Sequence, residues 1–257
     1  MKKALLATSV ASALAIGGLT ATTLPDRLNA QEQQPGATGL TKPQVEAIVR
    51  DYLLANPELL LEVQSALEAK MRTEQAAASR QAISEAAEQI FNNANDGVIG
   101  NPQGDVTIVE FFDYNCGYCK RALSDMEALI ASDKNLRFVL KEFPILGPES
   151  HQAHVVSVAF RKLVPEKYAE YHRRLLGTEG RANEETAIKL ALELGADEAA
   201  LRQEMKDPEI EKMFGETYEL ANRLQISGTP AYVVGNEIIS GALGHDHLSE
   251  KIAAARQ

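Results

Sequence analysis

Cys116 and Cys119 are the only cysteines in a chain of 257 residues, and only Gly117 and Tyr118 separate them in FFDYNCGYCK (residues 111–120). A cysteine reacts as its thiolate, so its surroundings decide what it can do. A disulfide between residues three apart closes too short a loop to restrain much of the unfolded chain, which makes a purely mechanical staple a poor reason for the pair. A zinc half-site would need two further ligands. His151 with His154, or His245 with His247, offer them on paper but read more simply as surface histidines. Covalent haem attachment would need a histidine after the second cysteine, where Lys120 stands. Dithiol redox chemistry is the reading that best fits the spacing and its place in the chain.

That chemistry needs a particular junction. VTIVEFF (106–112) is a short apolar, β-branched run of the buried-strand type, and a helix is expected from near the cysteines through Lys120, Ala122 and Met126 to about Ile130. Cys116 then lies at the helix N-terminus, where free N–H groups and the positive end of the dipole stabilise an anion. Cys119 falls on the same face beneath the first turn. The result is an outer thiol that attacks and an inner one that resolves. Each unit by which the outer pKa falls stabilises its thiolate by about 1.4 kcal/mol, and makes the disulfide a stronger oxidant by about 30 mV.

The remaining elements follow from pattern and punctuation. LRFVLKEFP (136–144) is a second strand, residues 149–225 read as several helices, and AYVVG and NEIISG form two strands about Gly235-Asn236 before a terminal helix from about His245. The expected class is α/β, a four- to five-stranded sheet with a helical insertion. ISGTPAYVV (226–234) puts Thr229-Pro230 at a strand entrance, where proline marks an edge, a turn or a cis bond. NNANDGVIGNPQGD (92–105) reads as a loop that separates the sheet domain from what precedes it.

Upstream, Lys2 and Lys3 precede an uncharged run from Ala4 to Pro25, with Ala21 and Ala30 as cleavage positions, the pattern of a signal peptide over residues 1–30. An uncleaved membrane anchor is the competing reading. Residues 31–40 form a polar lead-in. Thr41 and Pro43 then open a helix with Val45, Ile48, Val49, Tyr52 and Leu53 on one face, and Asn56-Pro57 ends it. A second helix is expected from Pro57 to about Asn92, with Leu60, Val63, Leu67, Met71, Ile83, Ala86, Ala87 and Ile90 along a narrow stripe. Its length suggests a coiled-coil stalk covered by a partner chain, or else a helix folded back on the main domain. The expected organisation is a signal peptide (1–30), a helical oligomerisation region (31–96) and a catalytic domain (97–257). A net charge of -10 argues against nucleic acid as a partner.

IVEFFDYNCGYCK together with ISGTPAYVV resembles the DsbA-like branch of the thioredoxin superfamily, exported thiol–disulfide oxidoreductases, over about residues 97–257. The lead-in VIGNPQGDVTIVEFFDY fits the same branch, and DYLLANPELLLE with the long helix is similar to the N-terminal extension of the ScsC-type subgroup. The resemblance implies a thioredoxin fold in which Cys116 attacks and Cys119 resolves. Gly117 and Tyr118 tune the potential and are similar to the pair in the DsbC isomerases. Pro230 is the implied cis-proline against the active site, and Thr229 offers its backbone to an extended substrate. Glu110 is the implied buried acid that moves the Cys119 proton, with Lys141 as its partner. Disulfide isomerase action in the periplasm, without a cofactor or metal, is the expected activity. The alternatives are a DsbA-type dithiol oxidase and, from another class, a dithiol protein that sequesters copper or zinc. Expected partners are cysteine-containing exported proteins, a membrane redox partner and further copies of the chain through residues 41–92.

Overall fold

A computed structural model describes residues 39–257. The expected signal peptide and most of the lead-in lie outside the described residues. The chain divides into two compact units at Leu59 and Leu60. In the first, α1 (Lys42–Ala55) opens where the Thr41 N–H donates to Gln44 Oε1 at 2.9 Å and closes where the Asn56 N–H donates to Tyr52 O at 2.9 Å. None of its residues is buried; Val45, Ile48, Val49 and Tyr52 face outward.

The second unit starts in α2 (Leu59–Glu85) and α3 (Ala87–Phe91). The single helix expected to about Asn92 is interrupted at Ala86 (φ -105°, ψ 10°). Its ladder resumes at once, with the Ile90 N–H donating to Ala86 O at 2.9 Å. The apolar stripe divides in the same way. Leu60, Val63, Leu67 and Met71 stay exposed, while Ile83, Ala86 and Ile90 are buried against Phe111, Val139 and Leu220. The last turns of the helical region therefore fold back onto the sheet, as the competing reading anticipated, and the earlier turns do not.

Five strands form one sheet: β1 (Gly97–Gly100), β2 (Val106–Phe112), β3 (Leu136–Glu142), β4 (Ala231–Val234) and β5 (Glu237–Ser240), in the order β1-β3-β2-β4-β5. β2 and β3 run parallel, and every other pair is antiparallel. β1 falls in the stretch read as a loop. GVIG is four residues bounded by turn formers, and it is held as a strand by its register with β3, Val98 opposite Val139. Its first glycine answers a distant neighbour, because a Cβ on Gly97 would lie 2.2 Å from the Tyr168 ring.

Alternation along β2 sorts side chains to two cores. Ile108 and Phe112 face one, with Phe138, Leu140 and Tyr232; Val109 and Phe111 face the other, with Val139 and Val233. The first core is covered by α4 (Gly117–Ser132) and by the insertion α5 (Pro148–Leu163), α6 (Tyr168–Leu176), α7 (Glu184–Glu193), α8 (Glu198–Glu204) and α9 (Pro208–Arg223) between β3 and β4. Side-chain caps set where the later helices start: Asn183 accepts from Thr186 N at 2.9 Å, Asp197 from Ala200 N at 2.9 Å and Asp207 from Glu209 N at 3.0 Å. α10 (His245–Ala255) closes the chain.

Candidate active site

β2 ends at Phe112 and α4 starts at Gly117, so residues 113–116 form the turn that presents the cysteines. The buried Asp113 carboxylate accepts the Asn115 N–H at 2.7 Å, the Ser150 hydroxyl at 2.8 Å and the Leu146 N–H at 3.0 Å. Its carbonyl accepts the Cys116 N–H at 2.9 Å. The Asn115 side chain accepts from Ala182 N at 2.7 Å and donates to Ala182 O at 2.9 Å. The insertion thus grips the turn at two points. Neither residue stands out by chemistry in the sequence; an Asp two before an Asn at a strand-to-helix junction is the signal that an Asx turn sits there.

Cys116 is the N-cap of α4. Its sulfur accepts the Cys119 N–H at 3.3 Å, and its thiol donates to Thr229 O at 3.1 Å. The thiol is held down to about 5, chiefly by the hydrogen bond from the Cys119 thiol and further by the N–H groups of Cys119 and Tyr118, against the opposing effect of burial. Cys119 is pushed far up by burial, by its bond to Cys116 and by the charge of Glu110. At neutral pH the pair therefore combines a thiolate with a thiol. Both sulfurs are shielded from solvent, Cys116 with 5% of the residue exposed and Cys119 with none.

The peptide bond between Thr229 and Pro230 is cis, and Pro230 O accepts the Gly241 N–H at 2.8 Å. A groove of about 430 Å³ runs past this bond between Tyr118, Ile226, Gly228 and Leu243. Tyr118 is exposed and carries the Arg121 guanidinium over its ring, 4.2 Å from the centroid. Gly117 is exposed beside it. Cys116, Gly117, Tyr118, Thr229 and Pro230 thus come together at one surface.

Glu110 lies on the face of β2 that it shares with Ile108 and Phe112, and is 2% exposed. The Tyr232 hydroxyl donates to it at 3.5 Å. Burial pushes its carboxyl up to about 8, and the Cys116 charge adds to the rise. The expected pairing of Lys141 with Glu110 is not made. In the parallel register Glu110 stands opposite Leu140, so Lys141, next along β3, projects from the other face. There its ammonium pairs with Asp96 at 2.5 Å and donates to Gln89 O. Of the histidines expected at the surface, His154 departs from expectation. His151 pairs with Glu211 near the surface, but His154 is fully buried between Glu142 and the Tyr114 N–H.

Residues 107–253 match the family model of the DSBA-like thioredoxin domain, which covers both cysteines and Thr229-Pro230. The chain belongs to this family. Residues 42–74 match the model for the copper resistance protein ScsC N-terminal domain, which places the helical region with the ScsC type. A thioredoxin-like oxidoreductase from Silicibacter pomeroyi is 39% identical, with 66% of this chain and 96% of that one aligned at a TM-score of 0.63. A linker-deletion mutant of ScsC from Proteus mirabilis is 26% identical over 86% of this chain and 98% of that one, TM-score 0.64. Among curated relatives, the Na(+)/H(+) antiporter NhaA 1 of Salinispora arenicola is 24% identical over 62% of this chain, which spans only 24% of that protein's length.

Proposed function

We propose that the protein is an exported thiol–disulfide oxidoreductase, acting chiefly as a disulfide isomerase on cysteine-containing proteins. The observation that carries this reading is the contrast between the two sulfurs, with Cys116 held down to about 5 at the start of α4 and Cys119 pushed up beneath it. The Cys116 thiolate attacks one sulfur of a client disulfide, and the bond between the client sulfurs breaks as the other sulfur departs as thiolate. A second client thiolate can then attack the mixed disulfide, which frees Cys116 and leaves the client rearranged with no net redox change. Alternatively Cys119 gives its proton to the ionised fraction of Glu110, a minority at pH 7 for a carboxyl raised to about 8, and attacks the Cys116 sulfur, so that the client leaves reduced and the pair oxidised. The reverse of that second route oxidises a client. Thr229 and Pro230 line the groove that would receive the client as an extended segment.

Recovery of scrambled ribonuclease tests the assignment. The wild-type protein is expected to restore ribonuclease activity and Cys116→Ala to give none above background; equal rates would refute it. The steady-state redox form of the pair in the exported protein separates the duties, since a mostly reduced pair fits an isomerase and a mostly oxidised one an oxidase.

Glu110 is expected to trade stability for this proton transfer. Its folded pKa of about 8 lies above the ordinary carboxyl value of 4.5. The neutral, buried form is favoured fully below the lower value, and that advantage is lost as pH rises toward the higher one. At pH 7 the unfolded chain is ionised while the folded carboxyl is not, a cost of about 3 kcal/mol. Glu110→Gln should therefore raise Tm at pH 7, with the gain vanishing near pH 4, and should slow the Cys119 step. A variant no more stable at pH 7 than wild type would contradict the protonation assigned to Glu110.

The helical region supports the isomerase reading by holding several active sites around one client. Leu60, Val63, Leu67 and Met71 on α2 are more than half exposed, and α1 buries none of its residues. Light scattering is expected to report an oligomer for the full chain and a monomer after removal of residues 41–75. That cut stops short of Ile83, which belongs to the core. A monomeric full chain would remove the argument.

A further inference from the structure

The redox turn is also held by a buried carboxylate–imidazole pair in which neither member reacts. Glu142 ends β3 and is 2% exposed; His154, on α5, is fully buried and hydrogen-bonded to it through Nδ1. The other ring nitrogen, Nε2, accepts the Tyr114 N–H at 3.2 Å. This geometry fixes the tautomer. Nε2 must be bare to accept, so the ring proton sits on Nδ1 and is donated to Glu142. A second branch leaves the same carboxylate: the Ser157 hydroxyl donates to Glu142 Oε1 at 2.8 Å and lies 2.8 Å from the Tyr114 hydroxyl. Tyr168 adds a third donor to that carboxylate, at 3.2 Å from the same oxygen as Ser157. Tyr114 is thus gripped at its backbone and at its hydroxyl, both through Glu142, two residues before Cys116.

The turn's own donors show why this matters. The Asn115 and Cys116 N–H groups are satisfied within the turn by Asp113. The Tyr114 N–H finds its partner 40 residues away. We infer that Glu142 and His154 are positioning residues for Cys116, fixing the direction in which the first N–H groups of α4 meet its sulfur by clamping Tyr114. The inference rests on Cys116 being the attacking thiol, but its test reads that sulfur directly, whichever client it serves. A network that only stabilised the fold would change melting and leave the sulfur's titration where it was.

Two measurements decide it. Nitrogen-15 NMR of the wild-type protein at neutral pH is expected to show His154 protonated at Nδ1 and bare at Nε2; a proton on Nε2 would overturn the clamp. The ultraviolet absorbance of the thiolate and its alkylation rate then follow Cys116 in variants. In E142L/H154L both polar partners leave together, so no unpaired charge stays inside. The Cys116 thiol is expected to hold its proton about tenfold more tightly there, and H154Q, which keeps an acceptor within reach of Tyr114, to stay within about twofold of wild type. A folded double variant with an unshifted thiol would overturn the inference. Should the double variant not fold, H154N, whose acceptor stops short of Tyr114, is expected to shift the thiol in the same direction, and an unchanged titration there overturns it equally.

Discussion

Cys119→Ala is expected to turn the protein into a trap for clients that offer no second thiolate. The variant keeps the attacking sulfur and the groove beside Pro230, so client disulfides are still opened. It lacks the sulfur that releases a client when no client thiolate does so, and those mixed disulfides should accumulate on Cys116 as covalent bands on non-reducing gels. The substitution also reaches Cys116 itself. The largest influence holding that thiol down to about 5 is the hydrogen bond from the Cys119 thiol. Losing it should raise the Cys116 pKa measurably, with the N–H groups of residues 118 and 119 retaining part of the effect. The attacking thiolate then becomes scarcer below neutral pH, so trapping should slow as pH falls, and more steeply than attack by wild type. Release of such clients at the wild-type rate would show that Cys119 is not the resolving thiol.

The second large effect is on the stability difference between redox forms. Cys116 has a folded pKa of about 5 against an ordinary thiol value of 9.0. Its depressed pKa stabilises the reduced fold fully above the unfolded value, and that contribution is lost as pH falls through about 5. At pH 7 roughly half of the shift is expressed, about 3 kcal/mol in favour of the reduced form. At pH 5 almost none remains. Denaturant unfolding of the reduced and oxidised proteins at both pH values should therefore give a gap that widens in favour of the reduced form from pH 5 to pH 7. Other groups that titrate in this range, Asp96 among them with a carboxyl raised to about 6, are present in both forms and largely cancel in the comparison. A gap that does not change with pH would mean that Cys116 is not a thiolate at neutral pH.

Much of this site was legible before any coordinates. Cys116 and Cys119 could be placed at a strand-to-helix junction because an apolar β-branched run and a helical pattern meet there, and one helical turn is a local geometry. Thr229-Pro230 could be flagged from its position at a strand entrance, and family resemblance linked it to the cysteines. The exposed stripe from Leu60 to Met71 was likewise visible as a periodicity with nothing in the sequence to cover it.

What sequence could not supply were the partners of buried polar groups, because these depend on which strands are neighbours and in what register. Lys141 seemed a natural match for Glu110 in one dimension. The parallel pairing of β2 with β3 sends them to opposite faces, and Lys141 meets Asp96 instead. His154 read as a surface histidine because nothing in HQAH reveals that α5 packs over the end of β3 and brings it to Glu142. GVIG became a strand only when β3 offered it an edge. Local spacing determined that the two cysteines stand at the start of a helix, since a strand-to-helix junction and one helical turn are local geometry. The tertiary structure decided which carboxylate stays neutral beside the pair and which imidazole holds its turn, because burial and hydrogen-bond partners belong to the assembled sheet and insertion.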